Sequence, residues 1–331
     1  MKAVLCKAYG PPSSLVVEDV PSPVPGPDDV LISVTAASLN FPDVLIIENK
    51  YQTKPPLPFS PGCEAAGIVK EVGSEVTQVK RGDRVMAVTG YGAFAEEIVV
   101  PASRVVPIPA SMNDVTAASF LFTYGTARHA LCDRGRLRAG ETLLVLGAAG
   151  GVGIAAIEIG RAVGARTIAC ASTDDKLALC RAHGADTTIN YAARSLRDEI
   201  KRLVGELGVD VVCDPVGGPY TEPALRSTAW NGRFLVVGFA AGEIPQIPLN
   251  LPLLKGCSIV GVGWGGFTRR EPERYAASVR QLCEWYSEGR LKPPVDRTFP
   301  LERAAEALTL MATRSVKGKI VLVVRGVSEW S

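Results

Sequence analysis

Histidine is nearly absent from this chain of 331 residues, which has only two, His129 and His183, beside eight cysteines. The cysteines nearest in sequence, Cys170 and Cys180, are ten residues apart. Structural zinc sites typically contain cysteine pairs with two to four residues between them, and this chain has no such pair. The sequence therefore predicts no metal site. Without a secretory signal, the cysteines are expected as reduced thiols.

A surplus of one charge and a long apolar run are also missing. Lysine and arginine number 36 against 34 aspartates and glutamates, so the sequence gives no reason to expect nucleic acid or an anionic membrane as a partner. The longest uncharged run, Thr142 to Ile157, is shorter than the ~20 residues that span a bilayer. Met1 to Cys6 lacks the apolar core of a signal peptide. We expect a soluble, cytoplasmic protein.

The composition changes along the chain, whose length suggests two domains of roughly 150 residues. Up to about Thr123 the chain is rich in proline, with eleven of its 24 prolines before residue 62, and has short β-branched segments such as Val30–Val34. This pattern predicts an irregular β domain. Two amphipathic helices and a strand, Lys319–Val324, are expected to return to that domain at the end. The predicted domains are residues 1–123 with 265–331, and residues 124–264.

In the middle stretch, apolar strands alternate with helical patterns. Strands are predicted at Thr142–Leu146, Arg166–Ala171, Val209–Cys213, Arg233–Gly238 and Ser258–Val262, and helices at Ile154–Gly164 and Asp175–His183. This alternation predicts βαβ units and a parallel sheet. The predicted fold class is α/β, with a doubly wound sheet beside a β-rich domain.

A glycine-rich turn, Gly147 to Gly153, follows the first of these strands and opens a helix, which is the setting of a dinucleotide fingerprint. Gly150 would let the backbone approach a pyrophosphate, and Gly153 would allow the helix to pack closely on the strand. The N–H groups of Gly151 and Val152 would face the phosphates at the positive end of the helix. The alternative is a tight turn in a flavodoxin-like domain without a ligand.

The end of the second strand favours NADPH over NADH. An NAD site places an acid about 20 residues beyond the turn, against the ribose hydroxyls. That place falls near Ala171, which is followed by the hydroxyls of Ser172 and Thr173 and by Lys176. Hydroxyl donors and a cation suit a 2′-phosphate. We interpret the two intervening aspartates as N-cap and first-turn residues of the next helix.

The order of these motifs resembles the zinc-independent quinone oxidoreductase branch of the medium-chain dehydrogenase/reductase superfamily. The matching segments, in chain order, are Ser38–Asp43, Tyr51, Pro58–Gly67, Thr123–Ala127, Ala148–Gly153 and Asp214–Gly218. The resemblance covers essentially the whole chain. It implies a GroES-like catalytic domain that the C-terminal segment closes, a Rossmann domain that binds NADPH, and a homodimer joined through the Rossmann edge strand, here Cys257–Trp264.

The same resemblance implies further cofactor contacts. Near the adenosine 2′-phosphate they are Ser172, Lys176, Tyr191 and Arg314, and beside the nicotinamide they are Phe239 and Val262. Taken alone, Phe239 and Val262 would be interpreted as core residues. Arg314 alone would be interpreted as a cation at a helix C-terminus.

Zinc relatives of this family have metal ligands where this chain has Asn40 and Cys63. Without a Lewis acid the substrate must accept hydride readily, as a quinone or an activated alkene does. The resemblance makes Tyr51 the candidate proton donor, with Asn40 orienting the acceptor oxygen and Thr126 near the nicotinamide amide. Taken alone, Tyr51 would be a surface aromatic in a proline-rich loop. Leu45 replaces a second tyrosine of some members and predicts a more apolar pocket.

Three functions remain open at this point. The first is an NADPH-dependent quinone reductase. The second is a reductase of enones or enoyl thioesters on the same scaffold. The third is an NADPH-binding protein without catalysis, with a structural or RNA-binding role. The near-neutral charge and the lack of a basic stripe interleaved with aromatics weigh against RNA.

Overall fold

The computed structural model of the chain describes residues 1–324. By their contacts these residues divide into two units, Met1–Phe122 with the residues from Pro294 onward, and Thr123–Pro293. The division differs from the sequence-based assignment, which placed residues 265–293 in the first domain. They pack within the second unit because the ring of Phe267 stacks on His129, with 4.1 Å between ring centroids.

The strands and helices are numbered in chain order. The strands are β1 (Lys2–Leu5), β2 (Val16–Asp19), β3 (Asp29–Ser38), β4 (Glu64–Val72), β5 (Arg84–Val88), β6 (Glu97–Pro101), β7 (Val105–Pro107), β8 (Thr142–Val145), β9 (Arg166–Ala171), β10 (Thr187–Asn190), β11 (Val209–Asp214), β12 (Thr228–Val236), β13 (Ser258–Gly261), β14 (Val295–Pro300) and β15 (Lys319–Val323). The α-helices are α1 (Phe41–Ile47), α2 (Asp114–Ala117), α3 (Leu121–Arg128), α4 (Gly151–Val163), α5 (Asp174–Ala182), α6 (Leu196–Val204), α7 (Thr221–Arg226), α8 (Asn250–Lys255), α9 (Trp264–Arg270), α10 (Pro272–Ser287) and α11 (Ala304–Ala312).

The first unit is built on a mostly antiparallel sheet of order β14-β15-β3-β4-β5-β7, with β6 also paired to β3. The central strand β3 is buried on both faces, and Val30, Ile32 and Val34 lie in an extensive apolar cluster of this unit. Strand β15 pairs antiparallel with β3, with Val321 opposite Ser38. The C-terminal segment therefore returns to this sheet, as the sequence predicts.

The second unit is a six-stranded parallel sheet of order β10-β9-β8-β11-β12-β13. The chain runs outward from β8 to β10 on one side and from β11 to β13 on the other. The order therefore reverses between β8 and β11, which makes this the switch point of a doubly wound fold. The predicted α/β class with a Rossmann-type sheet is confirmed.

The structure also contains elements that the sequence pattern does not indicate. Strand β10 reads Thr-Thr-Ile-Asn and lies at the edge of its sheet, so it lacks the apolar run of the central strands. Residues His129–Arg134 form a π-helical turn directly after α3. No helix within residues 1–324 combines the length and the apolar character needed to cross a bilayer.

Candidate functional site

The glycine-rich turn lies at the switch point of the parallel sheet. Strand β8 ends at Val145, and α4 begins at Gly151 after a turn in which the Gly150 N–H donates to Gly147 O at 3.0 Å. Gly147 has a φ of +56°, in the left-handed region that glycine adopts without strain. A Cβ on Gly153 would lie 2.5 Å from Gly147 O and 2.6 Å from Ala148 Cα. Close packing of α4 on the turn therefore requires glycine at 153, as predicted.

The N-terminus of α4 is open to an anion. Its N-cap is Gly150, which has no side chain to bond the N–H groups of the first turn. A helix of 13 residues concentrates positive potential at those groups. These N–H groups lie beyond the carboxyl end of β8, the first strand of the parallel sheet in chain order, which is where Rossmann folds hold a pyrophosphate. The residues present therefore fit a dinucleotide.

The loop after β11 forms the other side of the switch point. The Asp214 carboxylate accepts hydrogen bonds from the N–H groups of Val216 and Gly217, both at 2.8 Å, and from the Thr221 hydroxyl at 2.7 Å. Burial raises the pKa of Asp214, and these three bonds oppose the shift. The ring of Phe239, which follows β12, lies over this loop, 2.8 Å from where a Cβ on Gly217 would be. Asp214 thus fixes the surface on which Phe239 rests.

The carboxyl end of β9 carries the predicted phosphate-binding side chains. Ser172 follows the strand, and the Lys176 ammonium lies 3.5 Å from its hydroxyl. Thr173 is the N-cap of α5, and its hydroxyl accepts a hydrogen bond from the Lys176 N–H at 3.3 Å. The two aspartates at 174 and 175 both lie in the first turn, so the prediction that one of them is the N-cap was wrong, because the Thr173 hydroxyl takes that place. The Thr173 oxygen is already bonded as the helix cap. The polar side chains that lie next to each other at the end of β9 are therefore those of Ser172 and Lys176.

Tyr191 follows the neighbouring strand, β10. Its N–H donates to Ala171 O at 3.2 Å, which places it beside the end of β9. Its ring packs against that of Tyr220, with 4.1 Å between centroids. Both rings line a cavity of about 730 Å³ whose wall also contains Arg194 and Arg197.

Most of the predicted cofactor residues therefore lie beyond the carboxyl ends of the strands of the parallel sheet. Those that directly follow a strand or its turn are Gly150, Gly151, Val152, Gly153, Ser172, Tyr191, Phe239 and Val262. Arg314 instead belongs to the first unit, where it follows α11 with a left-handed φ of +57°. Its proposed contact with the phosphate stays a prediction.

In the first unit, Asn40 is buried and caps the N-terminus of α1. It forms a capping box with Asp43, whose carboxylate accepts the Asn40 N–H at 2.7 Å. The Asn40 Oδ1 accepts a hydrogen bond from the Lys319 ammonium at 2.5 Å, and its Nδ2 donates to Glu64 Oε1 at 2.9 Å. Both ends of this amide are therefore engaged by internal partners.

Lys319 is the central cation of this cluster, and sequence reasoning missed it. The side chains of Lys319 and Glu64 are only 4% and 1% exposed. The Lys319 ammonium donates to Leu39 O at 2.8 Å and to Glu64 Oε1 at 3.0 Å. The second Glu64 oxygen accepts the Phe122 N–H at 3.0 Å. A local signal marks each residue by itself but not their pairing: a charged residue begins an apolar strand, Lys319 before Ile-Val-Leu-Val and Glu64 before Ala-Ala.

Cys63 and Asp43 lie beside the cluster formed by Lys319, Glu64 and Asn40. Burial raises the pKa of the Cys63 thiol well above its ordinary value, and the carboxylates of Asp43 and Glu64 raise it further. Burial also raises the pKa of Asp43, to about 7, against the opposing effect of the Asn40 N–H and of Lys319. Across the described chain, no three His, Cys, Asp or Glu side chains are grouped as a metal site needs. The positive charge beside these acidic groups is that of Lys319.

The other two catalytic candidates lie in different units. Tyr51 is half-buried and packs against the apolar core of the first unit, so it is not the fully exposed aromatic of a loop. Thr126 is buried on α3, within the second unit. Their proposed roles in the reaction stay predictions.

Comparisons with known proteins agree with this architecture. The family model "Alcohol dehydrogenase GroES-like domain" matches residues 26–110, and "Zinc-binding dehydrogenase" matches residues 151–284. A quinone oxidoreductase-like protein 2 homolog from Nematostella vectensis is 40% identical over 97% of this chain and 88% of its own length. Human quinone oxidoreductase is 33% identical over 98% of both chains.

A solved structure is similar to this chain over nearly its whole length. The Escherichia coli quinone oxidoreductase complexed with NADPH matches 98% of this chain and 100% of its own, with a TM-score of 0.91 and 27% identity. The matches span both units rather than the common parallel sheet alone. The chain therefore belongs to the quinone oxidoreductase family of the medium-chain dehydrogenase/reductase superfamily, and is an NAD(P)H oxidoreductase of that superfamily.

Proposed function

We propose that the protein is an NADPH-dependent quinone reductase that works without a metal. The observation that carries this proposal is the buried cluster in the first unit, at the sequence positions where zinc relatives have ligands. There the Lys319 ammonium contacts Asn40 and Glu64, so a cation already lies among the side chains at these positions, and Cys63 alone cannot supply the three protein ligands of a catalytic zinc site. The relatives named quinone oxidoreductase support the same reaction class.

The second unit supplies the binding groups for the cofactor, which when bound provides the hydride. The N–H groups of Gly151 and Val152 hold the pyrophosphate in this proposal, beside Gly150 and Gly153. Ser172 and Lys176 bind the 2′-phosphate, since Ala171 leaves no acid at the end of β9 to accept the ribose hydroxyls.

The remaining predicted contacts complete the proposed cofactor site. Tyr191 and Arg314 contribute at the adenosine end. Phe239 and Val262 line the nicotinamide, and Thr126 lies near its amide. The support is that Phe239 and Val262 follow the ends of β12 and β13, on the nicotinamide half of a doubly wound sheet.

The acceptor in this proposal is an electrophile that takes hydride without a Lewis acid. A quinone disperses the added charge over its ring and oxygens, so a weak acid suffices to donate the proton. Tyr51 is the proposed donor. A contact of Asn40 with the acceptor oxygen would compete with the bonds to Lys319 and Glu64. We therefore assign Asn40 chiefly to holding the start of α1.

A substrate panel with stoichiometric NADPH consumption tests this function. We expect quinones to be turned over faster than enones and enoyl thioesters, with a rate unchanged after prolonged chelation. Tyr51→Phe should lower kcat, whereas Tyr9→Phe, which alters an exposed tyrosine, should not. Enoyl-thioester turnover far above every quinone would favour the second reductase function. Tight NADPH binding with no acceptor oxidising it would favour a non-catalytic protein.

We also propose that the protein is a homodimer joined through β13. This strand ends the order of the parallel sheet, so one side of its backbone has no neighbour within the sheet as described. The side chain of Ile259 on β13 is exposed, as are Leu253 and Leu254 of the preceding helix. An unpaired edge with apolar neighbours favours pairing with a second copy. The cytoplasmic location expected from the sequence stays a prediction.

A further inference from the structure

Asn190, the last residue of β10, links the two strand ends that carry the adenosine-binding residues. It lies opposite Ala171 in the parallel pairing of β10 with β9. Its Nδ2 donates to Asp174 Oδ1 at 3.0 Å. Its Oδ1 accepts from the N–H groups of Ala192 and Ala193, at 3.2 and 3.3 Å. Both ends of the Asn190 amide are thus engaged, one by the turn and one by Asp174.

Asp174 is the first carboxylate after the end of β9. It stands in sequence between Ser172 and Lys176, the two proposed ligands of the 2′-phosphate. A carboxylate free to turn toward the ribose would accept its hydroxyls, which favours NADH, and would repel a phosphate on the same ribose. Whether this chain prefers NADPH therefore depends on where the Asp174 carboxylate is held as well as on the absent acid at Ala171.

We propose that Asn190 is a specificity-determining residue for the cofactor. It holds the Asp174 carboxylate in the first turn of α5, next to the N–H groups at that helix end, and so leaves Ser172 and Lys176 to the 2′-phosphate. This inference rests on the proposed preference for NADPH. It assigns to Asn190 a role separate from phosphate contact, since its amide is already bonded to Asp174 and to the turn.

A double-mutant cycle tests the proposal on the full chain. Dissociation constants for NADPH and NADH are measured by fluorescence titration for the wild type, Asn190→Ala, Asp174→Ala and the double variant. We expect Asn190→Ala to lower the NADPH preference by about threefold to fivefold, because exposed charge interactions are of modest strength. Asp174→Ala alone should change the preference little. In the double variant the preference should return to the wild-type value.

The cycle separates this role from a structural one. If Asn190 only shaped the turn at Ala192, its loss would weaken both cofactors equally, and removing Asp174 would restore nothing. Either result overturns the proposal. Asn190→Ser provides a second variant, because a serine hydroxyl can still accept from the turn but is too short to reach Asp174. It should reproduce the loss of preference.

Measurements on the wild type distinguish the proposed NADPH preference from the proposed role of Asn190. Wild-type protein that binds NADH as tightly as NADPH would overturn the proposed cofactor preference, and this inference with it. A clear NADPH preference that survives Asn190→Ala and Asn190→Ser would overturn the role of Asn190 alone. Neither measurement requires an acceptor, so an incorrect quinone assignment does not affect the outcome.

Discussion

A lysine is seldom fully buried, because its ammonium loses its hydration unless partners replace it. Lys319 has three such partners, Leu39 O, Asn40 Oδ1 and Glu64 Oε1. These contacts tie β15 to the ends of β3 and β4. One side chain thus joins the C-terminal strand to the segment that carries Asn40. The cluster therefore depends on the charge of Lys319 as well as on its length.

Replacing Lys319 by methionine keeps the length and removes the charge. We expect Lys319→Met to reduce the free energy of unfolding by about 3–5 kcal/mol, because Glu64 becomes a buried carboxylate without a counter-ion. Urea denaturation followed by circular dichroism measures the loss. The matched control is Lys50→Met, which removes an exposed ion pair with Glu48 and should leave the midpoint unchanged.

The Glu64 partner gives an internal check on that result. Adding Glu64→Gln to Lys319→Met removes the uncompensated charge, so the double variant should be more stable than Lys319→Met alone. Equal stability of the two would mean that lost packing, and not the unpaired carboxylate, is responsible. A single Lys319→Met variant as stable as the wild type would contradict the role of the ion pair.

At this scale the sequence predicts single positions better than their partners. Gly153 was assigned to close helix packing from its place in a local motif, and the backbone approach to Gly147 agrees. The bond between Lys319 and Glu64 joins residues 255 positions apart. No local spacing indicates it, because the pairing of β15 with β3 brings these side chains together. For the same reason the engagement of Asn40 by Lys319 could not be foreseen.

Among the elements, the turn between β8 and α4 has two glycines with different tasks. A Cβ on Gly153 would meet backbone atoms of the turn, whereas one on Gly150 would lie 3.4 Å from Gly147 O, an ordinary contact. Gly150 also has a φ of −79°, which any residue adopts. Glycine at 153 is therefore required by the fold, whereas for glycine at 150 we propose that it allows the close approach of a pyrophosphate.

Alanine at each position separates these tasks. Gly153→Ala should destabilise the second unit by about 1–3 kcal/mol through overpacking and weaken cofactor binding as a consequence. Gly150→Ala should leave the unfolding midpoint near the wild type while lowering nicotinamide-cofactor affinity at least about tenfold. Thermal unfolding without cofactor and fluorescence titration with it measure the two effects. Unchanged affinity in Gly150→Ala would contradict the proposed phosphate approach.

The interior strand β9 was predictable from its sequence, and the edge strand β10 was not. Strand β9 was predicted with its observed bounds, Arg166–Ala171, because burial on both faces demands a continuous apolar run. Strand β10 is an edge strand with one buried residue, Ile189, so its sequence resembles a loop. In α5 the prediction began at Asp175 and the helix begins at Asp174, after the Thr173 cap. Such shifts are small because capping chemistry is local.

For the whole molecule, the order of the parallel strands determines where the predicted residues lie. Because all six strands run the same way, residues far apart in sequence meet at one edge of the sheet. The placement of residues 265–293 was not predictable from composition. Their assignment to the second unit depends on contacts such as that of Arg128 with Gln281, between helices α3 and α10.

Assembly is the remaining feature at this scale, and it depends on the edge formed by β13. Symmetric pairing of this strand with that of a second copy would join two six-stranded sheets and cover Ile259, which is 42% exposed. We expect the wild type to sediment as a dimer. Ile259→Glu would place like charges near the pairing axis and should raise the dimer Kd about thirtyfold or more.

Sedimentation velocity over a range of concentrations measures this change. The control, Val24→Glu, alters a residue of the first unit that is 86% exposed, and should leave the dimer intact. If the control also dissociated the dimer, added charge alone would explain the result. A wild type that remains monomeric would contradict pairing through β13. A dimer that Ile259→Glu does not weaken would contradict it too, because a carboxylate at a closed apolar interface loses its hydration without gaining a partner.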